Sequence, residues 1–338
     1  MEAMAESKTQ EWIRVAGLSK TEGGVSLSDF SCSFSKGGVH GILGPSGAGK
    51  SLLLNLLSGS LEPEGGQIMM RGTVFSADPA MKAKIGYVPK DPVFYSNMTV
   101  LEILDFMGQA RGVAADKRYR QIKEAMELTG VEEIQNRLSA RLNKEERKRV
   151  SYAGALLGNP DVLYIDEPIP VKDAAKRGEF SNLIAMLGKV KTVILASSDF
   201  SVVRSLCEDT LIMADGRLLV QDRFEALEEK LLRSRSLRVT TKGQKEAMTA
   251  EIRALPDVLD CTAEATRGGE LRLSVEYHAD RDIRESLSRL LGEMGAPILS
   301  MTVETLSLES VYRSLTAANG MRGSEGSSLL PEKQEVAE

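Results

Sequence analysis

At 338 residues the chain has room for about two domains. A content of 42% hydrophobic and 27% charged residues excludes collagenous, disulfide-rich and wholly disordered classes. The net charge of −5 speaks against nucleic acid, where affinity rests on a basic face that neutralises phosphate.

In chain order, Met1–Gln10 is polar, carries mixed charges and lacks an apolar signal core, so disorder is expected over 1–11. Residues 12–240 alternate short β-branched runs with helical patterns, which predicts an α/β domain with a largely parallel sheet. Val39–Leu43 reads as a strand that ends in a Gly-rich loop, and Ser51–Ser58 as the helix after it. Val162–Ile165 and Thr192–Ala196 are continuous apolar runs, as buried parallel strands are. Gln221–Ser236 predicts a charged amphipathic helix that leaves the first domain. Beyond it, strands are expected at Leu237–Thr240, Val258–Ala265, Leu271–Tyr277 and Pro297–Glu304, with helices at Gln244–Leu255 and Asp280–Met294. That βαββαβ order is the ferredoxin-like plan, here a small α+β unit. Leu306–Thr316 predicts a closing helix, and the Gly-, Ser- and Glu-rich tail Asn319–Glu338 predicts disorder. No apolar run reaches the roughly 18–20 residues of a membrane span. The most apolar stretch, Val150–Ile165, is cut by Asn159, Pro160 and Asp161.

Three cysteines, Cys32, Cys207 and Cys261, stand far apart without disulfide or metal-ligand spacing, which fits a reducing compartment. The two histidines are His40 and His278, so a histidine-dependent step must use one of them. His40 falls in a buried strand, which suggests a structural side chain.

The strongest motif is Gly44-Pro45-Ser46-Gly47-Ala48-Gly49-Lys50-Ser51, a P-loop pattern. Its glycines let backbone N–H groups curl around phosphate oxygens, Lys50 reaches the β- and γ-phosphates, and the Ser51 hydroxyl suits Mg²⁺. The helix that follows adds its positive N-terminal end to the same anion site. A plain Gly-rich turn before a helix is the alternative. Asp161–Pro168 supplies a second half, in which a buried strand ends in Asp166 and Glu167. Carboxylates there need partners. Asp166 suits Mg²⁺, directly or through water, and Glu167 is placed to orient or deprotonate an attacking water. An ordinary acidic pair in a strand-end turn is the alternative.

Around these motifs, Gly37–Leu43, Ile85–Pro89, Asn97–Glu102, Arg147–Val150 and Asn159-Pro160 complete a pattern that resembles ABC-transporter ATP-binding subunits over Trp12–Leu232. The C-terminal unit, closing on Ser307–Thr316, resembles the accessory domain of drug-resistance and gliding-motility types, which serve type-2 ABC exporters. The resemblance implies a P-loop NTPase ABC nucleotide-binding domain over 12–235, with a helical subdomain at about 90–155. A ferredoxin-like α+β accessory domain over 236–318 and a tail over 319–338 follow. It also implies ATP and Mg²⁺ as cofactors, and an integral-membrane permease and a second ATP-binding subunit, like or unlike this one, as partners. The chain would then lie in the cytoplasm, on the inner face of the cell membrane. Loop Lys90–Met98 and the helix after it would touch the permease.

Against that pattern the chain departs in several places. Lys90 fills the glutamine position and cannot accept a hydrogen bond from Mg²⁺-bound water. A loop lysine paired with Asp91 is the other reading. Ser198 fills the histidine position, where loss of one pre-organised donor costs about 10²–10³ in rate. The signature reads Leu142-Asn143-Lys144-Glu145-Glu146 in place of Leu-Ser-Gly-Gly-Gln. Asn143 with Glu146 keeps the spacing of a helix cap. A carboxylate about 5 Å from the partner's γ-phosphate, however, costs about 3 kcal/mol at an effective dielectric of 20. A solvated charged helix start is the alternative and fits the composition. The D-loop is also altered, Pro170-Val171-Lys172-Asp173, and no aromatic stands near Glu22 to stack on adenine, with Trp12 as a substitute.

Three readings follow. The first is an ATP-binding subunit that powers an exporter. The second is a regulatory subunit that binds nucleotide and hydrolyses it slowly. The third is a soluble ABC ATPase on ribosomes or DNA, disfavoured because no second cassette or long coiled-coil insert is present.

Overall fold

The computed structural model describes residues 11–75, 79–169, 173–227, 234–266, 270–278 and 281–304. They form two compact units, with the division between Phe224 and Glu225. Glu11 already belongs to a strand, while Met1–Gln10, Pro170–Lys172, the closing helix and the tail lie outside the described residues.

The first unit holds two sheets. Strands β1 (Glu11–Glu22), β2 (Val25–Ser35), β4 (Gly65–Met70) and β5 (Thr73–Val74) form an antiparallel sheet in the order β2-β1-β4-β5. Gly23 and Gly24 turn the β1–β2 hairpin with φ of 57° and 80°, a left-handed pair that glycine adopts without steric cost. This sheet departs from the expectation of one largely parallel sheet, because the alternation in β1 and β2 buries one face only.

The other sheet runs β10-β9-β3-β8-β7-β6, parallel except at the β9–β10 pair. Its members are β3 (Val39–Leu43), β6 (Ile85–Val88), β7 (Val162–Asp166), β8 (Thr192–Ser197), β9 (Asp209–Ala214) and β10 (Arg217–Arg223). Every residue of β3, β7 and β8 is buried, which explains their largely apolar sequences. Helix α1 (Lys50–Leu57) contributes Leu52, Leu53, Leu54, Leu56 and Leu57 to a core that residues of both sheets share. A helix apolar on nearly every side belongs inside.

Helices α2 (Pro79–Ala83), α3 (Val100–Ala110), α4 (Ala115–Thr129) and α5 (Lys144–Leu156) come next, and the last three enclose a core around Leu104, Ile122 and Val150. Capping boxes start α3 (Thr99 with Glu102) and α5 (Asn143 with Glu146), each satisfying two otherwise orphaned N–H groups. Helices α6 (Ala174–Gly188) and α7 (Phe200–Leu206) flank β8 in sequence.

The second unit follows the order β11 (Ser234–Thr241), α8 (Lys245–Arg253), β12 (Val258–Ala265), β13 (Leu271–His278), α9 (Arg284–Glu293) and β14 (Ile298–Glu304). Its antiparallel sheet runs β12-β13-β11-β14. Leu273 and Val275 of the alternating β13 pack with Leu237, Ile252 and Leu287.

The helix expected over Gln221–Ser236 is corrected at both ends. Gln221–Arg223 finish β10, paired with Leu211, Thr210 and Asp209, and Ser234–Ser236 open β11. The Gln221 amide also exchanges hydrogen bonds with the Ser33 backbone of β2. Charges on a sheet-edge strand mimic a helical pattern, and pairing with β9 decides the outcome.

Candidate functional site: the phosphate loop and the turn after β7

Strand β3 delivers the chain into residues 44–49, which close on α1 with Gly49 as its N-cap at φ 100°. Gly44 is needed for approach: a Cβ there would lie 2.5 Å from the Met213 carbonyl oxygen of β9. Lys50 is buried, and its ammonium donates to the Gly44 (2.8 Å) and Pro45 (2.9 Å) carbonyls of its own loop. Burial pushes its pKa down, the Lys90 charge adds to that, and Glu167 and Asp166 oppose it. Ser46 and Gly47 stand exposed at the loop's crest.

Asp166 closes β7 in the buried interior. Burial raises its pKa, against a hydrogen bond from Ser51 and the charges of Lys148 and Lys50. Its Oδ1 is one of three buried side-chain polar atoms without a hydrogen-bond partner among the described residues; the others are Trp12 Nε1 and Tyr164 OH. A buried, partnerless carboxylate oxygen is costly unless something binds it. Ser51 beside it makes a pair of oxygen ligands of the kind Mg²⁺ takes together with phosphate. The residues fit that ion.

Glu167 follows at φ 47°, a left-handed conformation rare for a residue with a side chain. Its N–H donates to the Ala196 carbonyl (2.8 Å), and its carboxylate is clasped from β8. Oε1 accepts from Ser198 N (3.2 Å) and Ser198 Oγ (3.0 Å), while Oε2 accepts from Ser197 Oγ (3.1 Å). Ser198 therefore touches the carboxylate directly, a contact between residues 31 apart that the sequence does not advertise.

The start of α5 looks different from its expectation. Asn143 Oδ1 accepts from Glu146 N (2.9 Å), Glu146 Oε2 accepts from Asn143 N (2.9 Å), and Arg137 pairs with Glu146 Oε1 (2.6 Å). Glu145 is held by Arg149 (3.2 Å) and by Lys176 of α6 (2.5 Å). Burial alone would raise the Glu145 carboxyl, but those two cations hold it below the usual range. Both carboxylates are thus neutralised inside the chain. The repulsion expected from a bare carboxylate is largely offset.

Lys144 pairs with Asp91 (3.4 Å), which corrects the expected Lys90–Asp91 pair and leaves Lys90 exposed. Trp12 does not substitute at the adenine position. Its ring packs against Arg71 (4.5 Å) and Lys36 (4.9 Å), at the end of β1 opposite Glu22. Ten residues of strand separate the two, about 30 Å at 3.3 Å per residue. Of the D-loop, Asp173 is described and caps α6 through Lys176 N (3.0 Å).

One residue escaped sequence reasoning. Lys148 of α5 has no exposed surface, and its ammonium donates to the Asp166 (2.6 Å) and Pro89 (2.8 Å) carbonyls. Burial pulls its pKa down to about 8, with Asp166, Glu167 and Asp91 resisting and Lys144 reinforcing the fall. Its sequence signals are its place in the run Arg147–Val150 and its i,i+4 spacing from Lys144.

Residues 27–170 match the ABC transporter family. The chain is similar to ATP-binding proteins of ABC transporters. It is similar to the probable multidrug ABC transporter ATP-binding protein YbhF of Escherichia coli (strain K12), 28% identical over 94% of this chain and 54% of that protein. It therefore spans about half the length of that relative. The linearmycin resistance ATP-binding protein LnrL of Bacillus subtilis (strain 168) is 29% identical over 86% of this chain and 93% of its own. Among solved structures, cbiO1 from Clostridium perfringens, part of the ABC transporter complex cbiONQ, aligns with TM-score 0.57 and 26% identity. That alignment covers 66% of this chain and 93% of cbiO1. The ATP-binding cassette MJ0796, bound to ADP and Pi, shares the fold with TM-score 0.57 at 22% identity, over 62% of this chain and 98% of its own. The P-loop and Asp166 both lie within the matched residues 27–170.

Proposed function

We propose that the chain is the ATP-binding subunit of an ABC exporter, binding MgATP and working on a separate membrane permease together with a second ATP-binding subunit. One observation carries the reading: Asp166 Oδ1, without a partner among the described residues, lies with Ser51 beside a P-loop lysine that donates to its own loop's carbonyls. Lys50 would exchange those carbonyls for the β- and γ-phosphates, and Ser51 and Asp166 would hold Mg²⁺. Mg²⁺ there supplies neutralisation of charge on the phosphate oxygens. Glu167 accepts a proton from, or orients, the attacking water. The exporter direction is supported by the relatives' names, multidrug and linearmycin resistance.

No helix among the described residues is long and apolar enough to cross a membrane. The permease partner follows from the relatives' description as ABC transporter ATP-binding proteins. It is supported by a largely apolar groove of about 450 Å³, lined by Met98, Leu101, Phe106, Tyr119 and Ile122 together with Glu102, Asp105 and Gln109. Val93 (88% exposed) and Tyr95 (64%) add apolar surface from the loop before α3. The chain would then lie on the cytoplasmic face of the membrane. The second unit, ferredoxin-like in its strand order, is read as an accessory domain over 236–318, after an ATP-binding domain over 12–235.

The regulatory reading, binding with slow hydrolysis, has its own support. Three donors occupy the Glu167 carboxylate, and two of them come from the serine that stands where the family carries histidine. ATPase turnover measured with and without the permease decides between the two. A rate within about tenfold of an intact relative overturns the regulatory reading, since a missing donor alone costs about 10²–10³. If that reading holds, Lys90→Gln with Ser198→His raises turnover at unchanged ATP affinity.

A further inference from the structure

Lys144 and Lys148 lie one helical turn apart on α5 and share a face. Both reach the segment that follows β6: Lys144 Nζ is 3.4 Å from Asp91 Oδ1, and Lys148 Nζ is 2.8 Å from the Pro89 carbonyl. Lys148 alone also reaches the carbonyl of Asp166, at 2.6 Å. Strands β6 and β7 are paired neighbours, with Val88 opposite Ile165, so Pro89 and Asp166 each follow directly from that pair. One buried ammonium therefore pins two strand ends, and the helix that carries it begins at the altered signature turn.

A purely space-filling role does not account for the charge. A fully buried ammonium loses several kcal/mol of hydration, and an apolar side chain would fill the same volume without that loss. The ammonium offers what an apolar residue cannot, two fixed donors to two backbone carbonyls in a region where Asp166, Glu167 and Asp91 concentrate negative charge.

We infer that Lys148 is a positioning residue for the Mg²⁺ site: it fixes the Asp166–Glu167 turn against the Pro89–Asp91 segment and ties both to α5. This rests on the MgATP reading above. A shift of α5 along its axis must break one of the two bonds or carry Asp166 with it, so the position of the signature helix is linked to the affinity of the metal site.

The test uses the full chain, a fluorescent ATP analogue and a Mg²⁺ titration, with urea unfolding to establish that each variant is folded. Lys148→Met removes charge and donors at similar length. It is expected to raise the Mg²⁺ midpoint for nucleotide retention about 10- to 100-fold, as loss of outer-shell partners does, while Mg²⁺-free affinity stays unchanged. Lys148→Gln, which keeps two N–H donors on a shorter neutral side chain, should give an intermediate shift. An unchanged midpoint in either folded variant, or an equal loss of affinity with and without Mg²⁺, overturns the inference. Should the Met variant not fold, the Gln variant decides alone. If the unsubstituted protein holds no nucleotide at any Mg²⁺ concentration, the nucleotide reading falls; an unchanged midpoint in a protein that binds MgATP strikes only Lys148.

Discussion

The phosphate loop and the start of α5 are both dense in charge, yet they treat it in opposite ways. At the loop, among the described residues, Asp166 keeps an oxygen without a partner, and Lys50 donates to carbonyls of its own loop. At α5, Asn143, Glu145 and Glu146 are all engaged, by a capping box, Arg137, Arg149 and Lys176. Burial makes an unmet polar atom costly, so one persists where a ligand is to meet it. A network that satisfies itself needs no ligand. On the proposed reading, the difference separates a place that binds from a place that holds.

The largest expected effect is on the binding side. Lys50→Met should weaken ATP about 100-fold, the scale of losing a charge-assisted bond to phosphate, with the unfolding transition little moved. An unchanged affinity, measured with a fluorescent ATP analogue, would show that the phosphates are held elsewhere and would break the comparison.

On the holding side, Arg149→Met removes bonds to Glu145, Glu179 and the Thr129 carbonyl, along with a stacking contact on Phe180. It should cost about 2–3 kcal/mol in urea unfolding, as loss of a partly buried charged network does, and leave ATP affinity of the chain unchanged. If nucleotide binding fell and stability did not, α5 would have to be counted with the binding region.

The smallest effect tests the same principle at the other end of β3. His40 faces two acceptors, Asp209 Oδ1 (2.8 Å) and the Gly37 carbonyl (2.8 Å), so both ring nitrogens must donate and the imidazolium is favoured. Burial opposes the charge, but Asp209, Gly37 and Glu208 outweigh it and raise the pKa from its ordinary 6.5. The stabilisation is therefore complete below about pH 6.5, the unfolded value, and is lost as pH rises through the higher folded value. Unfolding free energy of the unsubstituted protein should fall over that upward range relative to His40→Asn, which should lack this dependence. Parallel pH curves for the two proteins would mean that His40 is neutral.

Most of the proposed binding region is legible in the sequence. Residues 44–51 and Asp166–Glu167 are fixed by chemistry, because curling a backbone around phosphate demands glycines at set intervals and Mg²⁺ demands oxygen. The cap of α5 was legible for the same reason, since Asn143 and Glu146 act on each other within one turn. Reading the charges that follow was harder. Lys176 and Glu145 stand 31 residues apart, and nothing in the run Lys144–Lys148 says which charges will be buried. A bare carboxylate and a neutralised one have the same letter.

The second unit shows the same split. The alternation of β13 announces a strand with one buried face, whereas the helix expected at Gln221–Ser236 was overruled at its ends by pairing with β9 and β13. By itself, then, the sequence determined the phosphate loop, the acidic strand end, the buried parallel strands and the helix caps. Each depends on residues within a few positions of one another. Only the tertiary structure decided that Ser198 clasps Glu167, that Glu145 is neutralised and that Lys148 lies buried against Pro89 and Asp166. Those outcomes depend on which distant strand or helix arrives alongside, and packing settles that.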